Sequence, residues 1–297
     1  MRKSVFFIII TALCFGTMEV ALKLGGASFA PLQMTILRFL MGGLILLPLA
    51  LRDKKTRGLK LDRYDWAYLA TLGLVGVCIS MSCFQIGVMN LNANTASVMI
   101  SSNPVFTMLF AYVIIGEPFS RRKALVLVLC LAGLVAVANP MHMAEGNTVK
   151  GLIFQSVALV TFALFSALGK LRVDRLGGLI QNSFSFLIAS VVNFFILLVS
   201  GNPVFSGINA RSLPVLLYCG VVVTALGYYS YVSAIGLAGP SNASIAFFLK
   251  PIIAVTAAAL ILHEAITPNI VLGVALILIG SFLNMRGAKT PAKSSQP

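Results

Sequence analysis

Three ionisable side chains lie inside long apolar runs of this chain: Glu19, Arg38 and Lys250. On membrane-insertion scales each such charge costs about 2.5 to 3.5 kcal/mol at the bilayer centre, so three unpaired ones would cost roughly 8 to 10 kcal/mol. Each is therefore expected to face the interior, against a partner or a hydrated cavity. One acid and two bases placed this way can take a carboxylate and an ammonium, or hold a proton. Counted at about 1.5 Å per residue from the ends of their apolar runs, Glu19 and Arg38 reach similar depths. The spacing predicts a Glu19–Arg38 ion pair, which either neutralises both charges permanently or opens to grip a zwitterion. Lys250 directly precedes Pro251, and a proline inside a helix frees a backbone carbonyl and bends the chain. Carbonyls and an ammonium would then share one place, an anion-binding or proton-sensitive point.

Other polar residues in apolar surroundings are secondary candidates. Tyr228 and Tyr231 are three apart, on one helix face, and offer ring surface and hydroxyl donors, for packing or for a ligand. Gln85, Asn103 and Asn242 add amides. Asn94, Ser97 and Ser101 form a stripe of small residues expected to let helices approach closely. Glu117 and Glu264 end apolar runs and are expected to hold helix ends. His142, in a polar loop, and His263, beside Glu264, lack metal-ligand spacing. Five cysteines lie in apolar stretches with no C-x-x-C and read as small core residues, so neither a disulfide, a metal nor a cofactor is expected.

The elements that position these residues must be membrane helices. Of 297 residues 59% are hydrophobic and 10% charged, against about 25% charged in soluble domains. A chain this apolar cannot cover a soluble exterior. Ten apolar stretches are long enough to span, at about 5–24, 32–51, 66–90, 95–116, 122–139, 150–171, 179–200, 213–237, 242–262 and 269–286. The basic, then apolar, start resembles a signal peptide but has no A-x-A-like site, so it is read as the first span. The formal net charge of +14 would point to nucleic acid on a soluble protein, but here the basic residues cluster between spans. With the amino terminus inside, 17 basic residues fall on the inner side and three, Lys23, Lys150 and Arg211, on the outer. Both termini are expected to be cytoplasmic. The polar tail 288–297 reads as disordered.

A constant shift of 147 aligns Lys23 with Lys170, Phe39 with Phe186, Gly73 with Gly220, Ser97 with Ser244, Pro104 with Pro251, Glu117 with Glu264 and Gly133 with Gly280. By the same shift Asn103 is the counterpart of Lys250, a neutral amide where the other copy offers a cation. The chain divides into 1–139 and 140–287, five spans each. An odd number of spans means that the second copy enters the membrane from the opposite side. Inverted repeats of this kind build midplane sites that open to either side in turn.

The two stretches NANTASVMISSNPVFTMLFAYVIIGEP and PSNASIAFFLKPIIAVTAAALILHEAI carry the same order of a polar hairpin, A-S, N-P or K-P, an apolar run and G-E or H-E. With the first-helix F-G followed by Lys23, and with Arg38–Phe39, this pattern resembles the EamA branch of the drug/metabolite transporter superfamily, over residues 5 to 286. Glu19 is not part of the general family pattern. The resemblance implies an all-α polytopic protein of ten transmembrane helices in two inverted five-helix repeats, in a bacterial cytoplasmic membrane. Helices one to four and six to nine would form a basket around a small metabolite, commonly exported.

The fold alone does not choose among amino acids, other metabolites and drugs. The ionisable set favours a small polar or zwitterionic, amino-acid-like substrate, with an anionic metabolite or phosphate-ester exchanger and a drug exporter as alternatives. No GxxxxGK[ST] loop is present, so the energy would come from a gradient, protons among them, or from exchange. A membrane-embedded enzyme would need converging His, Asp or metal ligands at mid-span, and the spans carry none.

Overall fold

The computed structural model describes residues 2–139, 144–199, 201 and 204–287; His142 and the tail 288–297 lie outside them. Every regular element among the described residues is helical. Seven stretches are long and apolar enough to cross a bilayer. They are α1 (Lys3–Gly25), α2 (Pro31–Thr56), α3 (Arg63–Met89), α4 (Ala93–Ile115), α6 (Val149–Val199), α7 (Leu213–Ala238) and α8 (Pro240–Ile261). Two further helices are α5 (Arg121–Ala138) and α9 (Pro268–Gly287). Lipid is the solvent for the outer faces, where Val113, Val135 and Leu260 are well exposed.

At about 1.5 Å per residue, the 51 residues of α6 would reach more than twice the thickness of a hydrocarbon core near 30 Å. The element is broken at Gly177, whose φ of +77° suits a residue without a Cβ. Arg57, at the end of α2, closes that break by donating from Nη1 to the Leu176 carbonyl (3.1 Å) and from Nη2 to that of Arg175. Beside it the wholly buried Asp65 accepts from Arg172 (2.5 Å) and Arg175 (2.6 Å). Basic residues that the sequence explains by orientation thus also tie the start of α3 to the middle of α6.

Helices approach most closely where glycines stand. A Cβ on Gly133 of α5 would meet the Gly273 carbonyl of α9 at 3.0 Å, and one on Gly16 of α1 would meet Ile253 of α8 at 2.7 Å. Several spans are locally interrupted. α1 loosens at Thr17, α4 turns at Ser101–Ser102, and α8 turns at Ser244–Ile245. Wide π-helical turns run over Leu74–Met81 in α3 and Tyr218–Gly227 in α7. Such departures from regular helix recur at functional sites. Glu19, Asn103, Lys250, Gln85 and the two tyrosines all follow within a few residues of one of them.

Candidate functional site

The close packing of α1 on α8 decides the first contact. With Gly16 admitting Ile253, Glu19 meets Lys250, and Lys250 Nζ donates to Glu19 Oε1 with both side chains fully buried. The expected Glu19–Arg38 pair is therefore corrected, because depth along a helix fixes height but not direction around the axis. Glu19 keeps its second oxygen, Oε2, without a partner among the described residues. The Lys250 ammonium also lies 5.7 Å from the ring centres of Phe84 and Phe247.

Arg38 is left as the exception. It is completely buried, and among the described residues none of its three guanidinium nitrogens makes a well-formed hydrogen bond, Tyr228 offering only a loose contact. Its guanidinium stands 4.4 Å over the Phe39 ring and close to Tyr228. The Tyr228 hydroxyl donates instead to Met81 Sδ (2.7 Å). Two buried cations thus face one buried carboxylate. A buried guanidinium held by a ring face and one nearby hydroxyl keeps most of its donors free, for water or an anionic group.

Tyr231 is equally buried, its hydroxyl donating to Ser166 Oγ (2.8 Å) beside Ser244 Oγ (3.4 Å). Asn103 accepts from the Thr107 hydroxyl (2.8 Å) and keeps Nδ2 unpartnered, while both polar atoms of Gln85 are unpartnered and buried. The structure does not bring Asn242 to this cluster. It is exposed at the start of α8, its amide donating to the Ala238 carbonyl (2.8 Å), a local helix-end contact.

The rings that surround these groups were missed by reasoning from polar residues. Phe15, Phe39, Phe162 and Phe186 crowd the Tyr228 ring at 5.0, 5.4, 6.1 and 5.3 Å, and Phe247 joins Tyr231 at 5.6 Å. The signal that finds them is the shift of 147, which pairs Phe15 with Phe162, Phe39 with Phe186 and Phe84 with Tyr231. The same shift sets Glu19 against Ser166, Arg38 against Ser185 and Lys250 against Asn103. Aromatic walls are thus common to the two copies, whereas all three charges belong to one copy's version of a position.

Glu264 and Glu117 do hold helix ends. Glu264 accepts from the backbone N–H groups of Ala93 (2.7 Å) and Asn94 (3.0 Å) at the start of α4, and from Lys23 Nζ (3.3 Å). Glu117 accepts from Ser241 at the start of α8. Replacing Glu264 by alanine leaves two N–H groups at a helix start without an acceptor. The expected loss is about 1 to 2 kcal/mol of stability, read as a lowered unfolding temperature in detergent.

The family model of the EamA-like transporter family matches residues 2–139 and again 149–286. A relative from Clostridium kluyveri, named an uncharacterized transporter, is 37% identical over 97% of this chain and 95% of its own. Protein PagO of Salmonella typhimurium is 23% identical over 99% and 97% of the two chains. A probable terminal-alkyne amino-acid exporter of Streptantibioticus cattleyicolor is 22% identical over 99% of each. A solved crystal structure superposes with a TM-score of 0.70 at 16% identity, covering 97% of this chain and 98% of its own, and so shares the fold. With buried charges and rings at the centre of an all-helical, multi-pass bundle, and with the family model matched across nearly its whole length, the chain belongs to the EamA-like transporter family.

Proposed function

We propose that the protein is a secondary transporter that moves a small amino-acid-like zwitterion across the cytoplasmic membrane by alternating access, in the direction of export. The observation that carries this reading is the buried Arg38, unpartnered beside an aromatic cluster and near a Glu19–Lys250 pair. Arg38 would take the substrate carboxylate in a two-pronged contact. The ammonium would bind Glu19 at its open oxygen, Oε2, beside Lys250 on the other. The rings would receive the apolar part. The amino-acid exporter among the relatives supports this substrate class at a distance. A second reading, an anionic metabolite without an amino group, is favoured by the single uncompensated positive charge of the three.

The architecture that serves this function is ten crossings in two inverted halves, 1–139 and 140–287. Six of the spanning stretches would cross once and α6 twice by way of Gly177, with α5 and α9 completing the set. Two matches of one family model, and ring pairs 147 residues apart meeting at one centre, support the repeat. The basic bias supports cytoplasmic termini and tail. Coupling would come from a proton gradient or a counter-substrate.

The test is counterflow in reconstituted vesicles with amino acids, amino-free carboxylates, phosphorylated metabolites and cationic drugs. Exchange of zwitterions that Arg38→Met abolishes is the expected result. Exchange of amino-free acids alone selects the second reading. Drug flux indifferent to Arg38→Met overturns both.

A further inference from the structure

The second arm of α6, beyond Gly177, carries a row of polar side chains that the site above does not use. Asn182, Ser190 and Asn193 are 0%, 2% and 1% exposed. Among the described residues, neither polar atom of either amide and not the Ser190 hydroxyl has a partner. Positions i, i+8 and i+11 of a helix fall within an arc of about 80°. Phe186, at i+4, lies inside the same arc, and its ring meets Tyr228 at 5.3 Å and Phe39, the neighbour of Arg38, at 4.8 Å. The row therefore looks onto the interior that holds the cation.

Its two ends are placed by other contacts. Gly178 packs against Ser233, where a Cβ would stand 3.2 Å from the hydroxyl, so Asn182 lies between that contact and the ring of Phe186. Past Asn193, Leu197 joins Ile36 and Val204 in an apolar cluster, above which Gln33 donates to the carbonyls of Val204 (3.0 Å) and Ser206 (2.7 Å). The row thus ends beneath an apolar plug.

A buried donor or acceptor left unpaired carries the full penalty of its removal from water. Five such atoms on one helix would together rival the whole stability of an ordinary domain. Neighbouring hydroxyls show what a packing role looks like: Ser183 donates to the Gly43 carbonyl (3.0 Å) and Ser185 to that of Asn182 (3.3 Å). The row has no such use.

We propose that the Asn182–Asn193 face is a hydrated wall of the permeation path. It hydrogen-bonds water and the uncharged polar groups of the passing solute over about 16 Å, on either side of the aromatic cluster. This rests on the transport reading and extends it along the membrane normal, away from the charged groups.

The test is cysteine substitution at Asn182, Ser190 and Asn193, with Val191→Cys on the exposed side of the same arm as control. Each variant in membrane vesicles is treated with a small cationic methanethiosulfonate, and the adduct at the new site is followed by peptide mass. Thiolates form in water and not in lipid or a dry core. Labelling of the row at least tenfold faster than Val191→Cys is expected. Ser190→Cys is nearly isosteric and keeps the test valid if an asparagine variant misfolds. Folded variants whose row cysteines react no faster than Val191→Cys overturn the proposal. The labelling needs no substrate, so a labelled row together with failed zwitterion and carboxylate flux leaves the hydrated wall standing and removes only the substrate assignment.

Discussion

Arg38→Met is expected to reduce exchange of a carboxylate solute by about 30-fold to 4,000-fold while leaving the protein at least as stable as before. The first half follows from the desolvated site. Removing one partner of a buried, hydrogen-bonded charge pair costs about 2 to 5 kcal/mol, at about 1.4 kcal/mol per tenfold. The second half separates this role from a structural one. A guanidinium that serves the fold would be hydrogen-bonded to it, and removing it would leave those partners orphaned. Arg38 makes no well-formed hydrogen bond among the described residues, its neighbour Tyr228 already donates to Met81, and methionine fills a similar apolar volume beside Phe39. Arg38→Lys should fall between the two, since an ammonium keeps the charge but not the planar fork. Counterflow in vesicles and thermal unfolding of the same preparations read both quantities. A variant that loses stability and activity together would assign Arg38 to the scaffold.

Much of this arrangement is visible in the sequence because the bilayer enforces simple rules. A charge in an apolar run must turn inward, and Glu19, Arg38 and Lys250 all do. Helix ends are marked by the same change in polarity, so the observed start of α2 at Pro31 and end of α3 at Met89 fall within a residue of expectation. What hydropathy does not carry is azimuth. Glu19 and Arg38 share a depth, yet the break at Thr17 and the tight contact at Gly16 turn Glu19 to α8. Asn242 errs in another way. It opens an apolar span, but a first-turn amide is as readily spent on the preceding helix, here on the Ala238 carbonyl. Asn182, Ser190 and Asn193 are hidden by their surroundings, since the run NSFSFLIASVVNFF averages as apolar and only the helical arc collects these polar positions on one side. The aromatic cluster is legible in principle: the shift that pairs Phe39 with Phe186 also pairs Phe15 with Phe162 and Phe84 with Tyr231.

That the two copies share rings but not charges bears on the Glu19–Lys250 pair. Its counterparts are Ser166 and Asn103, neutral residues at the equivalent places, so a bundle of this kind does not require ions there to fold. The pair is nonetheless expected to matter to stability once broken. Glu19→Gln leaves the Lys250 ammonium buried without a counter-charge, and uncompensated buried ions of this kind cost about 3 to 5 kcal/mol. A marked drop in unfolding temperature in detergent should result, with loss of exchange. The double variant Glu19→Gln/Lys250→Met removes both charges. It should recover most of the lost stability, because replacing a buried ion pair by neutral groups of similar volume is often nearly free. It should not recover exchange, if Glu19 is the group that receives the substrate ammonium. The decisive comparison is therefore between single and double variants. Restored folding with no transport marks the pair as a substrate device. Restored folding together with restored transport would make the ions dispensable to function and leave Arg38 as the one charge that the solute must meet.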